Sequence, residues 1–347
     1  MEPSPIAAAA ASFPSHRGYL NAASTGLPTR QTIAAIQADL ASWANAECDP
    51  RSYDAVIART RDSYARLVGV PSTRVAIGSQ VSAQTSLVAA AAPAGAEVLV
   101  ADGDFSSIVF PFIARPGITV RSVPLEALAD SISSGTWLVA FSLVQSATGG
   151  IADVQAILES AKRHRTLTLC DLTQAAGVFP VDASRFDATV CHAYKWLCSP
   201  RGVSFLTLSD RLLPRVPALQ AGWYAGEDVW ASCYGPEMEL ANDARRLDVS
   251  PAWQAWVGAE PAIELFAGLD IGEVWAHAAG LGNALCDALG IERQDQAIVT
   301  WPDPDGEHLM KLSAAGIRVA GRAGRLRVSF HLWNDEAEVQ AVVAALR

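Results

Sequence analysis

The chain has 347 residues, half of them hydrophobic, and its 36 acidic and 26 basic side chains leave a formal net charge of −10. That acidity argues against a broad phosphate-backbone footprint for nucleic acid. No uninterrupted apolar run reaches the ~18–20 residues that would span a bilayer, so a soluble chain acting on small molecules is expected, long enough for two lobes rather than one.

At the N-terminus, MEPSPIAAAAASF holds an alanine run, but Glu2 stands where a secretory signal needs positive charge, and Pro3 and Pro5 break the run further. A frayed or weakly helical leader is expected. From Val75 to Leu208 the pattern repeats: a short apolar run, Gly/Pro/Asp/Ser punctuation, a segment of helical length, then the next run. The runs Glu97–Ala101, Ile118–Val123, Trp137–Val144, Leu167–Leu172, Ala188–Ala193 and Gly202–Leu208 read as strands. VSAQTSLVAAAA, FSSIVFPFIA and VQAILESAKRH between them read as crossover helices. Right-handed crossovers then give an α/β fold, a mostly parallel sheet with helices on both faces. Ligands of such sheets bind beyond the carboxyl ends of the strands.

After Leu208 the stretch Ala221–Trp253 has little periodicity and reads as an irregular connection; a long helical stretch begins near Trp253. A strand–turn–helix pattern from about Gly290 to Arg347 suggests a smaller second lobe, so the chain is divided into 15–265 and 266–347. The six cysteines (Cys48, Cys170, Cys191, Cys198, Cys233, Cys286) form no C-x-x-C pair and no His/Cys ligand set, so a metal site lacks support. They read as reduced thiols in a cytoplasmic protein.

Lys195 falls between two probable core strands, flanked by Tyr194 and Trp196. The ordinary reading of a lysine is a surface side chain with its head in water. These flanks point instead to an amine short of hydration, whose pKa can fall to ~7–8, as a Schiff-base lysine requires. Asp171 closes the run TLTLCD, where it either caps the following turn or emerges at the ligand-binding rim, three residues before Gln174. A lysine in a strand connection and an acid at a strand terminus are the pair that pyridoxal phosphate demands, the acid at the pyridine nitrogen and the lysine at the aldehyde.

With these residues in view, the chain resembles the class V aminotransferase family of fold-type I pyridoxal-phosphate enzymes, which includes cysteine desulfurases, kynureninase and isopenicillin-N epimerase. The resemblance runs from YLNAASTGLP (Tyr19–Pro28) to RLRVSFHLWN (Arg325–Asn334), and is carried most specifically by CDLTQAAGVFPVD and CHAYKWLCSPRGVSFL. It implies that Lys195 bonds the cofactor, Asp171 partners the pyridine nitrogen and Gln174 donates to the ring 3-oxygen. His192 and Tyr194 would contact the phosphate, together with backbone N–H groups of Val81 and Ser82 at a helix N-terminus; on local sequence a simple Ser N-cap explains that turn as well. Phe105 matches the residue that stacks on the cofactor ring, although alone it reads as plain core. Ser250-Pro251 stands for the Thr-Pro whose hydroxyl reaches the phosphate of a neighbouring subunit, with Val249 in place of the usual glycine, which implies a homodimer with shared sites. Arg327 matches the clamp of the substrate α-carboxylate, with Asn21 beside it; Arg325 and Arg322 compete for that role.

The resemblance leaves transamination, epimerisation and chemistry at Cβ open. The mobile cysteine of the family's desulfurases is missing from Ala314–Phe330, so persulfide-forming desulfuration is rejected. Tyr194 before the lysine and VQSATGG (Val144–Gly150) are similar to kynureninase-like members. The substrate is expected to be an L-amino acid. A catalytically idle, cofactor-binding partner protein is the alternative of another class, and the joint retention of Lys195, Asp171 and Arg327 speaks against it.

Overall fold

A computed structural model describes residues 4–347; Glu2 and Pro3, on which the leader reading partly rests, lie outside them. Pro5–Ala10 forms a short helix (α1), started by Ser4, whose side chain accepts from Ala7 N–H. Two longer helices follow, α2 (Arg30–Ala44) and α3 (Ser52–Val68), the latter closed by Gly69 in the left-handed conformation.

The main sheet has seven strands: β1 (Val75–Gly78), β2 (Glu97–Ala101), β3 (Thr119–Val123), β4 (Thr136–Ser142), β5 (Leu167–Asp171), β6 (Ala188–His192) and β7 (Ser204–Leu208). Their spatial order is β1-β7-β6-β5-β4-β2-β3. All pairs are parallel except those made by β7, which runs against both β6 and β1. The six expected strands are therefore present with ends shifted by up to two residues, and β1 is an addition. It is four residues long and buried throughout, so it offers no alternation to read.

Burial on both faces explains the apolar runs. Leu138, Ala140, Leu169, Val190 and Leu206 face one side, where they pack with Val88, Ile108 and Phe112 of α4 (Val81–Ala90) and α5 (Ser106–Ile113). Val139, Phe141, Cys170, Cys191 and Phe205 face the other, with Ile157, Ile263 and Phe266. After the short α6 (Leu128–Ser131), these belong to α7 (Val154–His164) and α8 (Trp253–Ala267). Asp153 starts α7 by accepting from Ala156 N–H, and Lys162, Arg163 and His164 sit in its last turn, where the helix dipole favours cations.

The connection between β7 and α8 contains only short 3₁₀ turns, as its lack of periodicity suggests. It is anchored by Asp248, buried, which accepts from Ile77 N–H and forms an ion pair with Arg61 at 2.6 Å. Beyond α9 (Ile271–Leu289) a second, antiparallel sheet has the order β8-β10-β9, with β8 at Ile298–Pro302, β9 at Ala320–Arg322 and β10 at Arg325–Ser329. Helices α10 (Glu307–Ala314) and α11 (Glu336–Leu346) complete it. The N-terminal segment crosses to this sheet: Leu20 N–H donates to Arg318 O and Ser329 N–H to Leu20 O. No helix among the described residues is long and apolar enough to cross a membrane.

Candidate active site

The registers Ser142↔Asp171 and Asp171↔Val190 bring the carboxyl ends of β4, β5 and β6 side by side. A cleft of about 370 Å³ opens there, lined by Val81, Phe105, Ser107, Ser142, Val144, Ser146, Asp171, Thr173, Gln174, His192, Tyr194 and Lys195. Seven of the residues singled out from the sequence thus meet at one place.

Lys195 sits on the loop from β6 to β7, and its neighbours are pinned. Gly26 N–H donates to Tyr194 O at 2.9 Å, Cys198 N–H to Lys195 O at 3.1 Å, and His331 Nε2 to Trp196 O at 2.9 Å. A Cβ on Gly26 would come 2.0 Å from Lys195 O, and one on Gly177 would come 2.8 Å from Trp196 O, so both glycines are required by close approach to this loop. The lysine is 5% exposed, with Nζ 5.2 Å from the ring centre of Phe105. Burial brings its pKa down to about 8; Asp171 acts in the opposite sense, and Arg327 and Arg322 add to the depression. The surface reading of Lys195 is therefore set aside.

Asp171 ends β5 and is buried; its carboxylate accepts from Thr173 N–H at 2.8 Å. It thus both caps the turn and lines the cleft. Burial raises its pKa, while the Thr173 bonds and Lys195 lower it. Behind it Asp104, pushed up to about 6 by burial, accepts from Ser142 N–H at 2.8 Å and Gln145 Nε2 at 3.0 Å. Gln174 accepts from Trp196 Nε1 at 2.7 Å and donates from Nε2 to Ala23 O and Ser146 Oγ, both at 3.0 Å.

Phe105 is 48% exposed at the cleft, which overturns its reading as plain core. The Ser-cap reading of α4 also fails: its N-cap is Gln80 and no side chain bonds the first turn, so the N–H groups beginning with Val81 and Ser82 lack a side-chain acceptor. Ser82 is half-buried and does not line the cleft. His192 packs edge-on against Tyr194 with ring centres 4.4 Å apart. Its Nε2 is buried with no hydrogen-bond partner among the described residues, and burial lowers its pKa to about 4.

Arg327 is 1% exposed and donates to Ser146 O at 2.6 Å, Ser146 Oγ at 3.0 Å and Ser24 Oγ at 2.7 Å. Its Nε has no partner, no carboxylate pairs with it among the described residues, and burial followed by Arg322 brings its pKa down to about 10. Arg325 donates instead to Thr300 Oγ1 and O. Asn21 Oδ1 is buried without a partner among the described residues. Ser250 is exposed and outside the cleft lining. Asp104 was not singled out from the sequence; Ser24, Ser146 and Thr173 carried only a faint signal, as parts of Tyr19–Pro28, Val144–Gly150 and CDLTQAAGVFPVD.

A buried amine, a strand-end carboxylate, an unpartnered imidazole nitrogen and an uncapped helix start fit an aldehyde-bearing pyridine phosphate. With the sheet order, they define a fold-type I pyridoxal-phosphate enzyme. The chain belongs to the class-V aminotransferase family: the model described as "Aminotransferase class-V" matches residues 18–317. It is 30% identical over 191 residues to isopenicillin N epimerase of Streptomyces clavuligerus, covering 50% of this chain and 48% of that one. Against kynureninase of Deinococcus radiodurans it is 29% identical over 245 residues, 67% of this chain and 58% of the relative. The chain thus spans about half to three fifths of the length of these two relatives. The cysteine desulfurase CsdA from Escherichia coli has a similar fold, with a TM-score of 0.83, 20% identity and coverage of 100% of this chain and 98% of that one.

Proposed function

We propose that the chain acts on a small-molecule L-amino acid through Lys195, by transamination or by chemistry at Cβ, and not by persulfide-forming desulfuration. The observation that carries this reading is the cleft itself, which is lined by a buried lysine of depressed pKa and by Ser146, the acceptor of an arginine that has no carboxylate partner among the described residues.

When bound, pyridoxal phosphate supplies an aldehyde carbon and an electron-withdrawing ring. Lys195 binds the cofactor through Nζ and moves the proton at the substrate α-carbon, for which a pKa near 8 suits it. Asp171 holds the proton on the ring nitrogen. The N–H groups of Val81 and Ser82, with His192 and Tyr194, bind the phosphate, while Phe105 covers the ring and excludes water. Gln174 orients the ring oxygen by exchanging one of its present acceptors for it. Arg327, with Asn21, binds the α-carboxylate as a planar fork. Ser250 is assigned to the phosphate of a second copy in a cytoplasmic homodimer with shared sites; its exposure is compatible with that role. Against desulfuration stands the absence of cysteine from Ala314–Phe330 and, among the described residues, from the cleft lining. Kynureninase-like hydrolysis and epimerisation form the second reading, supported by the names of two relatives.

Lys195 is one of three lysines, with Lys162 and Lys311. Borohydride should therefore fix the cofactor on the Lys195 peptide alone, and label on another lysine would sink the reading. Single amino acids added to the cofactor-loaded protein, followed by assays for pyruvate, ammonia and oxo acids, separate transamination from Cβ chemistry. Transfer of sulfur from cysteine onto the protein as a persulfide would reverse the exclusion of desulfuration.

A further inference from the structure

Two guanidinium groups converge on one hydroxyl beside the cleft. Arg327 donates to Ser24 Oγ at 2.7 Å, and Arg322 reaches the same atom at 3.4 Å. The other contact of Arg322 is the neighbouring Gly321 O, at 2.8 Å, so neither arginine has a carboxylate partner among the described residues. The other buried arginine, Arg61, is neutralised by Asp248 at 2.6 Å, whereas Arg327, at 1% exposure, faces no acid among the described residues. A buried guanidinium without an acid, beside a second cation on the same hydroxyl, calls for a compensating anion.

Under the function proposed above, on which this step rests, Arg327 takes the α-carboxylate and is then satisfied. Arg325, across the hairpin from Arg322, is committed to Thr300 and supplies no further charge. Arg322 remains: exposed, reaching the same Ser24, and within the field of Lys195, on which it acts less strongly than Arg327 does. With the α-carboxylate held in the fork of Arg327, the donors of Arg322 stay open to a second anion. We infer that the substrate is an amino acid carrying a second anionic group on its side chain, and that Arg322 is the specificity-determining residue that binds that group.

The test compares acids with their isosteric amides. Protein whose cofactor has been located on Lys195 is titrated with L-glutamate against L-glutamine, and with L-aspartate against L-asparagine, following the cofactor absorbance. For at least one pair the acid should act at a concentration about 10- to 100-fold lower than the amide, the range expected for a charge-assisted bond. Arg322→Gln should collapse that ratio towards one, and Arg322→Lys should keep part of it. Equal responses to acid and amide in both pairs, or a ratio that survives Arg322→Gln, overturn the inference and leave the role of Lys195 standing. Failure of the cofactor to attach at Lys195 refutes the underlying reading instead, and the inference falls with it.

Discussion

At Lys195 the decisive quantity is hydration. A lysine in water keeps its proton to about pH 10.4, whereas burial here brings the pKa to about 8. Cofactor-free protein should therefore capture pyridoxal phosphate at a rate that rises tenfold per pH unit below 8, as the neutral amine accumulates, and levels off above it. Stopped-flow absorbance measures this directly, and a rate still climbing tenfold per unit between pH 9 and 10 would refute the depressed pKa. The position of this lysine was legible because apolar strands flank it on both sides. Ser24 was not legible: its importance lies in two arginines that reach it from about 300 residues further along the chain, a proximity no local pattern encodes. Asp104 was hidden likewise, since an acid in a Gly/Asp turn looks like turn chemistry until Ser142 and Gln145 are seen to bond it.

Among the elements, the strands with fully buried faces were the most legible, because they produce unbroken apolar runs bounded by turn residues. Helices α2 and α3 drew no reading from the sequence, although they pack against α8. Their mixture of alanine with polar residues marks no broad apolar stripe, and tertiary contact rather than local pattern holds them. The Arg61–Asp248 pair shows the same dependence, tying α3 to the edge strand β1 and to the connection before α8. Both members are nearly excluded from solvent, so Asp248→Ala strands a buried guanidinium and should cost about 3–5 kcal/mol. The double variant Arg61→Met with Asp248→Leu, which removes both charges, should cost less than either single change apart from the acceptor lost to Ile77 N–H. Urea unfolding of the three variants measures this; a double variant as unstable as the sum of the singles would show that the pair is not coupled.

On the scale of the whole molecule, His331 joins the second sheet to the Lys195 loop. Its Nδ1 accepts from Leu332 N–H at 2.8 Å, so its proton is on Nε2 and is donated to Trp196 O. Burial lowers its pKa to about 4, below the ordinary 6.5. The unfolded chain thus binds a proton that the folded chain refuses between those values, and stability falls as pH drops from about 6.5 towards 4, by up to about 1.4 kcal/mol per unit. His331→Gln should lower stability at neutral pH yet flatten that acid slope, read from urea midpoints across the range; parallel slopes would place the acid sensitivity elsewhere. His192 acts in the same sense in the cofactor-free protein. The reversed strand β7 has a further consequence. Since β7 runs against β6, the chain enters and leaves the Lys195 loop at one rim, through the paired residues His192 and Ser204. A parallel successor would have required a crossover of roughly a dozen or more residues to the opposite rim. The lysine is therefore carried on a short return whose two ends are fixed by neighbouring strands at the rim where the cleft opens, so its distance from Asp171 is set by the sheet itself and not by a long excursion of the chain.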